Sequence, residues 1–182
     1  MAEIATYIAE VAAARRQVVL AVHDLTFAQQ SFHPGPAEWS PCQVVEHLVL
    51  AEHGGIIRLW QAADGVRQGK PVWNGEPIHR GLLIEEIISR TWKPQEQAPP
   101  NATPQTDGPL AYWVACLQAC QAVLEALGDG MQGLDLTMVI APHFLSGPLD
   151  AIQRLQFLRW HLHHHLGQVE ELKEAPEFPR RT

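Results

Sequence analysis

The chain has 182 residues, 46% of them hydrophobic and 18% charged, and its 13 basic and 20 acidic side chains give a formal net charge of −7. This is the composition of a single globular domain over 1–182, and the acidic balance argues against nucleic acid or an anionic membrane surface as partner, since both select positive protein surface. No apolar run reaches the roughly 18 residues of a membrane span, the N-terminus lacks the basic-then-apolar order of a signal peptide, and Cys42, Cys116 and Cys120 form no disulfide framework, so a reducing cytoplasm is the expected compartment.

Four segments show helical periodicity and none sustains a two-residue alternation. The first is expected from about Glu3 to Gln30, with Ile4, Ile8, Val11, Val18 and Val22 on one stripe, and His33-Pro34-Gly35-Pro36 breaks the chain after it. The second has an explicit start: Ser40 can cap it, Pro41 suits the first turn and Gln43 completes a capping box. Val44, Val45, Leu48, Ala51, Ile56 and Leu59 carry the pattern towards Gly65. Arg80 to Trp92 holds a short helix. From Pro94 to Pro109 there are five prolines in sixteen residues, which reads as an irregular crossover outside the bundle.

The third main helix is expected from Leu110 to Leu127, ending at Gly128-Asp129-Gly130. Cys116 and Cys120 share a face of it and read as small core residues. After the loop Ala141 to Pro148, the last helix is expected to start with Ser146 as its cap and to run to about Lys173, with a fraying tail from Ala175. The pattern is all-α.

The last helix carries the chemistry. Trp160-His161-Leu162-His163-His164-His165 places four histidines in five positions. His161 and His165 are four apart, so their rings share a face. Residues 158, 161, 165, 169 and 172 form the apolar stripe, which puts both histidines towards the core. His163 falls outside the stripe and His164 at its edge. Two imidazoles aimed into an apolar core need partners, and a divalent metal is an economical one, because helical metal sites use this i, i+4 pair. No Glu follows His161, so the zincin motif is absent. His47, between Val44 and Ala51 on the core stripe of the second helix, is the best third ligand.

Trp39-Ser40-Pro41, Glu46-His47-Leu48, the loop Pro142-His143-Phe144-Leu145-Ser146-Gly147-Pro148-Leu149 and the run from Trp160 to Val169 resemble the DinB-like superfamily, which includes the YfiT-like metal-dependent hydrolases. The resemblance covers essentially the whole chain; its specific parts are the histidine-rich last helix and the start of the second. It implies a four-helix bundle with up-down-down-up connectivity. It also implies a three-histidine site that falls on His47, His161 and His165, nickel or zinc as the metal, and frequently a homodimer. Some relatives are low-molecular-weight-thiol-dependent transferases, which implies a thiol as a candidate small-molecule partner. Many members have Arg-Gly-Gln after the last ligand where this chain has Leu166-Gly167-Gln168, a missing cation that bears on anionic substrates.

Among the neighbours, His164 is a candidate base or relay beside the site, and Gln168, three after His165, a candidate hydrogen-bond partner to a ligand. Glu46 and Glu52 are expected on a solvated face, and His143 to make a structural hydrogen bond. His23, His33, His53 and His79 have no telling spacing. Two function classes follow. One is a metal-dependent hydrolase or thiol-dependent transferase of unknown substrate, because three protein ligands leave open positions. The other is a non-catalytic metal-binding or stress-associated bundle.

Overall fold

The computed structural model describes residues 2–36, 38–93, 97–106 and 108–180. Among these the chain is mostly helical, with α1 (Ala2–Val22), α2 (Phe27–Gln30), α3 (Pro41–Arg67), α4 (Ile84–Thr91), α5 (Leu110–Gly130), β1 (Ile140–His143), β2 (Gly147–Asp150) and α6 (Ala151–Glu174). Of the long helices, α1 packs on α6 and α5, and α3 on α5 and α6. Their facing stripes form one continuous core that includes Val18, Leu48, Leu117, Leu124 and Leu155. A smaller core beneath α4 gathers Ile84, Ile87, Leu149 and Phe157, with Trp92 and Trp160 against it.

The expected start of α3 is present atom for atom. Ser40 Oγ accepts from Gln43 N at 3.3 Å, and Gln43 Oε1 accepts from Ser40 N at 3.1 Å. Elsewhere the boundaries differ from those expected. The first helix does not reach Gln30. It stops at Val22, and Thr26 with Gln29 starts a new capped turn by the same reciprocal pair of hydrogen bonds.

Residues 140–150 are not a plain loop, so the fold is not purely α. Ile140 pairs with Asp150 and His143 with Gly147 in a short antiparallel hairpin. Gly147 has φ +70°, a left-handed conformation that suits glycine. The hairpin consumes Ser146 and moves the cap of α6 to Asp150, whose carboxylate accepts from Gln153 N at 2.9 Å. Such a four-residue hairpin is too short to announce itself as alternation. α5 runs through Gly128 to Gly130 rather than stopping before it.

The tail, expected to fray from Ala175, instead packs back on the fold in its described part. Gln29 Nε2 donates to Pro179 O at 2.9 Å, and the rings of Phe32 and Phe178 meet edge to face at 5.3 Å. By length and composition α5 could cross a membrane, although no unbroken apolar run does so. Here Leu117, Cys120, Leu124 and Leu127 bury one face of it against α3 and α1.

Glu46 and Glu52, expected in solvent, are both buried, at 2% and 3% exposure. Each has found partners in a segment that helical angle alone does not reveal. Glu52 receives the guanidinium of Arg15 from α1. Glu46 Oε1 accepts from Gln105 N at 2.9 Å and Thr106 N at 2.8 Å, clamping the proline-rich crossover onto α3. The crossover is irregular as expected, but its described part lies against the helices. Residues 94–96 and 107 of it lie outside the described residues.

Candidate metal centre

α3 contributes His47 and α6 contributes His161 and His165, one turn apart. All three side chains are buried, at 4%, 7% and 5% exposure. Their ligand-capable nitrogens converge within 4.8 Å of one another. His161 Nε2 stands 3.2 Å from His47 Nε2 and 3.0 Å from His165 Nε2. Imidazole nitrogens bound at about 2.0–2.1 Å to one metal lie about 2.9 Å apart at a right angle and about 3.4 Å apart at the tetrahedral angle. The observed spacings fall between.

The outer nitrogens fix the tautomers. His47 Nδ1 donates to the carbonyl of Ala102 at 2.7 Å, and His165 Nδ1 donates to Gln168 Oε1 at 2.7 Å. Both rings therefore turn an unprotonated Nε2 inward. A proton on His161 Nε2 could satisfy only one of those two lone pairs, whereas a divalent cation satisfies all three nitrogens. The residues fit a metal.

Electrostatics agree with neutral rings. Burial is the largest cause in each case: it holds His161 and His165 well below the usual imidazole range and lowers His47 as well. Mutual repulsion among the rings adds to this for His161 and His165, while the hydrogen bond to Ala102 partly offsets it for His47. Neutral imidazole is the ligating form. Trp39 covers the cluster, with its ring 4.8 Å from that of His47 and stacked 6.4 Å from that of His165.

A family model matches residues 10–169 and describes the DinB superfamily. The chain belongs to the DinB superfamily. Its members generally bind metal, and the buried three-histidine group is one that could hold a divalent ion. No curated protein and no solved structure matches this chain.

Of the two neighbours selected from the sequence, Gln168 makes the hydrogen bond to His165 already described. His164 does not bond a ligand ring among the described residues. It is exposed and lies flat on Trp160, with 5.1 Å between centroids and an interplanar angle of 6°. His143 Nδ1 accepts from Leu145 N and Ser146 N at 3.4 and 3.2 Å, so its proton sits on Nε2. Burial, reinforced by Arg154 and Arg58, pushes this ring down to about 3.

The DinB cluster opens into a pocket of about 590 Å³, of which His47, His143, Arg154, His161 and His165 form part of the wall. Three contributors escaped the sequence. The Ala102 carbonyl belongs to a segment with no periodicity to read. The part played by Trp39 needed the tertiary contact. Arg154 was within reach: one more step back along the stripe from 158 and 161 arrives at it.

Proposed function

We propose that this DinB-superfamily chain is a metal-dependent enzyme acting on a small molecule, by hydrolysis or by transfer to a low-molecular-weight thiol. The observation that carries the reading is the convergence of three buried Nε2 atoms, two of them oriented by acceptors on the far side of their rings. Such outer partners typically accompany metal-ligating histidines. His47, His161 and His165 would hold the ion, nickel or zinc by analogy with the family. Three nitrogen ligands without cysteine are typical of catalytic rather than structural zinc, which usually takes four protein ligands. When bound, a divalent metal supplies Lewis acidity that brings water or a thiol towards its deprotonated form near neutral pH.

The chain's own residues do the rest. Ala102 and Gln168 keep two imidazoles in the ligating tautomer. Trp39 excludes water from one side, and the pocket confines a substrate beside the cluster. An up-down-down-up four-helix bundle is supported by the pairing of α1 with α6 and of α3 with α5, and Cys42, Cys116 and Cys120, none of them in a disulfide, suit a reducing cytoplasm.

The test is elemental analysis of untagged protein beside the His47→Ala, His161→Ala, His165→Ala triple variant. We expect about one nickel or zinc per chain, as a single three-ligand site requires, and its loss in the variant. Wild-type protein that stays metal-free after supplementation would sink the enzyme reading. An ion whose remaining positions are filled by protein would favour the non-catalytic alternative.

A further inference from the structure

Two turns before His161 on the same face of α6 lies a second polar group with unmet demands. Arg154 is 4% exposed, and its Nε and Nη1 are buried with no hydrogen-bond partner among the described residues. A buried cation without a counterion is costly, so chains seldom retain one without a use. The nearby charges make the position worse: Arg58, exposed at the pocket wall, has the same sign. Among the described residues no Asp or Glu lines this pocket. In a chain of net charge −7, the pocket is thus a local reserve of positive charge, and a divalent ion at the histidines would add to it.

The surroundings hold the guanidinium in place. Its carbon lies 5.8 Å from the Phe157 ring centroid, and Phe157 in turn stacks on His161 at 5.6 Å and 18°. On the facing helix, Gly55 leaves the space: a Cβ there would come within 3.1 Å of Arg154 Nη2. Glycine inside α3 costs about 1 kcal/mol of helix stability relative to alanine, and here it makes room for a cation. His143, with its proton on Nε2, lines the same pocket as a neutral donor. Burial, with Arg58 second, pushes Arg154 down to about 10, so it is still protonated at neutral pH.

We infer that Arg154 binds an oxyanion of the substrate, a carboxylate or a phosphate, at the end of the pocket away from His47, His161 and His165. The inference rests on the proposed function only for the identity of the anion's bearer. Seven residues of helix separate Arg154 from His161, about 10 Å along the axis. The substrate is then a small molecule with an anionic head and, on the order of two helical turns away, the group that is to react. The pocket is walled by α3, α6, the crossover and the β1–β2 hairpin, and its volume of about 590 Å³ suits a metabolite-sized anion.

The test uses the full chain and two probes, acetate and inorganic phosphate. Each is titrated into metal-free and zinc-loaded protein while the arginine Nε–H signals are followed by NMR. We expect the Arg154 signal to shift in both forms, and the tighter of the two probes identifies the head group. Arg154→Met should weaken binding about 10- to 100-fold, the worth of a hydrogen bond to a charged group. It should leave the melting temperature unchanged or higher, because it removes an uncompensated buried charge. Arg154→Lys, which keeps the charge, should retain part of the affinity.

Anion binding that occurs only with zinc present and survives in Arg154→Met would overturn the inference and leave the metal reading intact. So would a marked drop in melting temperature in Arg154→Met with no anion response in the wild type, since that is a structural role. Anion binding that depends on Arg154 in a chain that takes up no metal would support the inference while removing the metal reading.

Discussion

Two arginines are buried to nearly the same degree, at 3% and 4% exposure, and the fold treats them in opposite ways. Arg15 of α1 is neutralised. Glu52 of α3 accepts from Nε at 3.4 Å and from Nη2, and Gln121 of α5 accepts from Nη1. The pair sits among the helices that make the main core and ties three of them together. Arg154 faces a pocket, has no carboxylate partner among the described residues and is given room by a glycine. One cation has its requirements met by the chain, and the other leaves them for a ligand. A buried charge is therefore informative chiefly through what stands opposite it.

The largest effect should come from giving both arginines the same substitution. Arg15→Met strands Glu52 in the core, and breaking a buried pair in this way costs about 3–5 kcal/mol. Denaturant melts should show that loss, and none for Arg154→Met. Comparable losses at the two sites would erase the distinction. Next, Gln168→Ala leaves the His165 ring free to rotate and should lower metal affinity about 10- to 100-fold without unfolding the protein. His164→Ala removes a ring that stacks on Trp160 and meets the edges of Trp92 and His165 without a hydrogen bond to a ligand, and should change metal affinity little. A competition titration with a chelator separates the two.

The same contrast extends to pH, with opposite signs. The pKa values of His47, His161 and His165 are lowered from the ordinary 6.5 by burial. Below that value the unfolded chain takes up protons that the fold refuses, so metal-free protein should lose stability as pH falls through 6.5. Burial raises Glu52 above its usual 4.5 despite the opposing Arg15. Its contribution is present below 4.5 and is lost as pH rises through the raised value. Thermal melts between these limits should therefore steepen with acid in the wild type and do so less in the triple histidine variant, which keeps only the acid sensitivity of His143 and other lowered groups. A variant as acid-sensitive as the wild type would assign the effect elsewhere.

The smallest effect lies in the Gly54-Gly55 pair. A Cβ at Gly54 meets nothing within 4 Å, so Gly54→Ala should stabilise α3 by about 0.8–1 kcal/mol. Gly55→Ala should gain less, because its methyl presses on Arg154, and it should weaken anion binding in the titrations above. Equal gains with unchanged anion binding would mean that Gly55 makes no room for the guanidinium.

By itself the sequence determined the local rules and the histidine set. Ser40, Pro41 and Gln43 start α3 because a capping box needs only three neighbouring residues. His161 and His165 share a buried face because helical geometry is periodic, and His47 falls on the stripe of its own helix for the same reason. The same local logic applied to Thr26 with Gln29 and to Asp150 with Gln153 would have corrected the ends of α1 and α6. Tertiary structure alone decided what stands opposite each polar side chain. Glu46 and Glu52 look solvated by helical angle but are buried because a crossover strand of irregular chain and a distant arginine reach them. The Ala102 carbonyl selects the tautomer of His47 from a segment whose prolines leave no periodicity to read. Arg154 is set apart from Arg15 by a missing carboxylate, and no pattern within one helix records which residues of another helix come to face it.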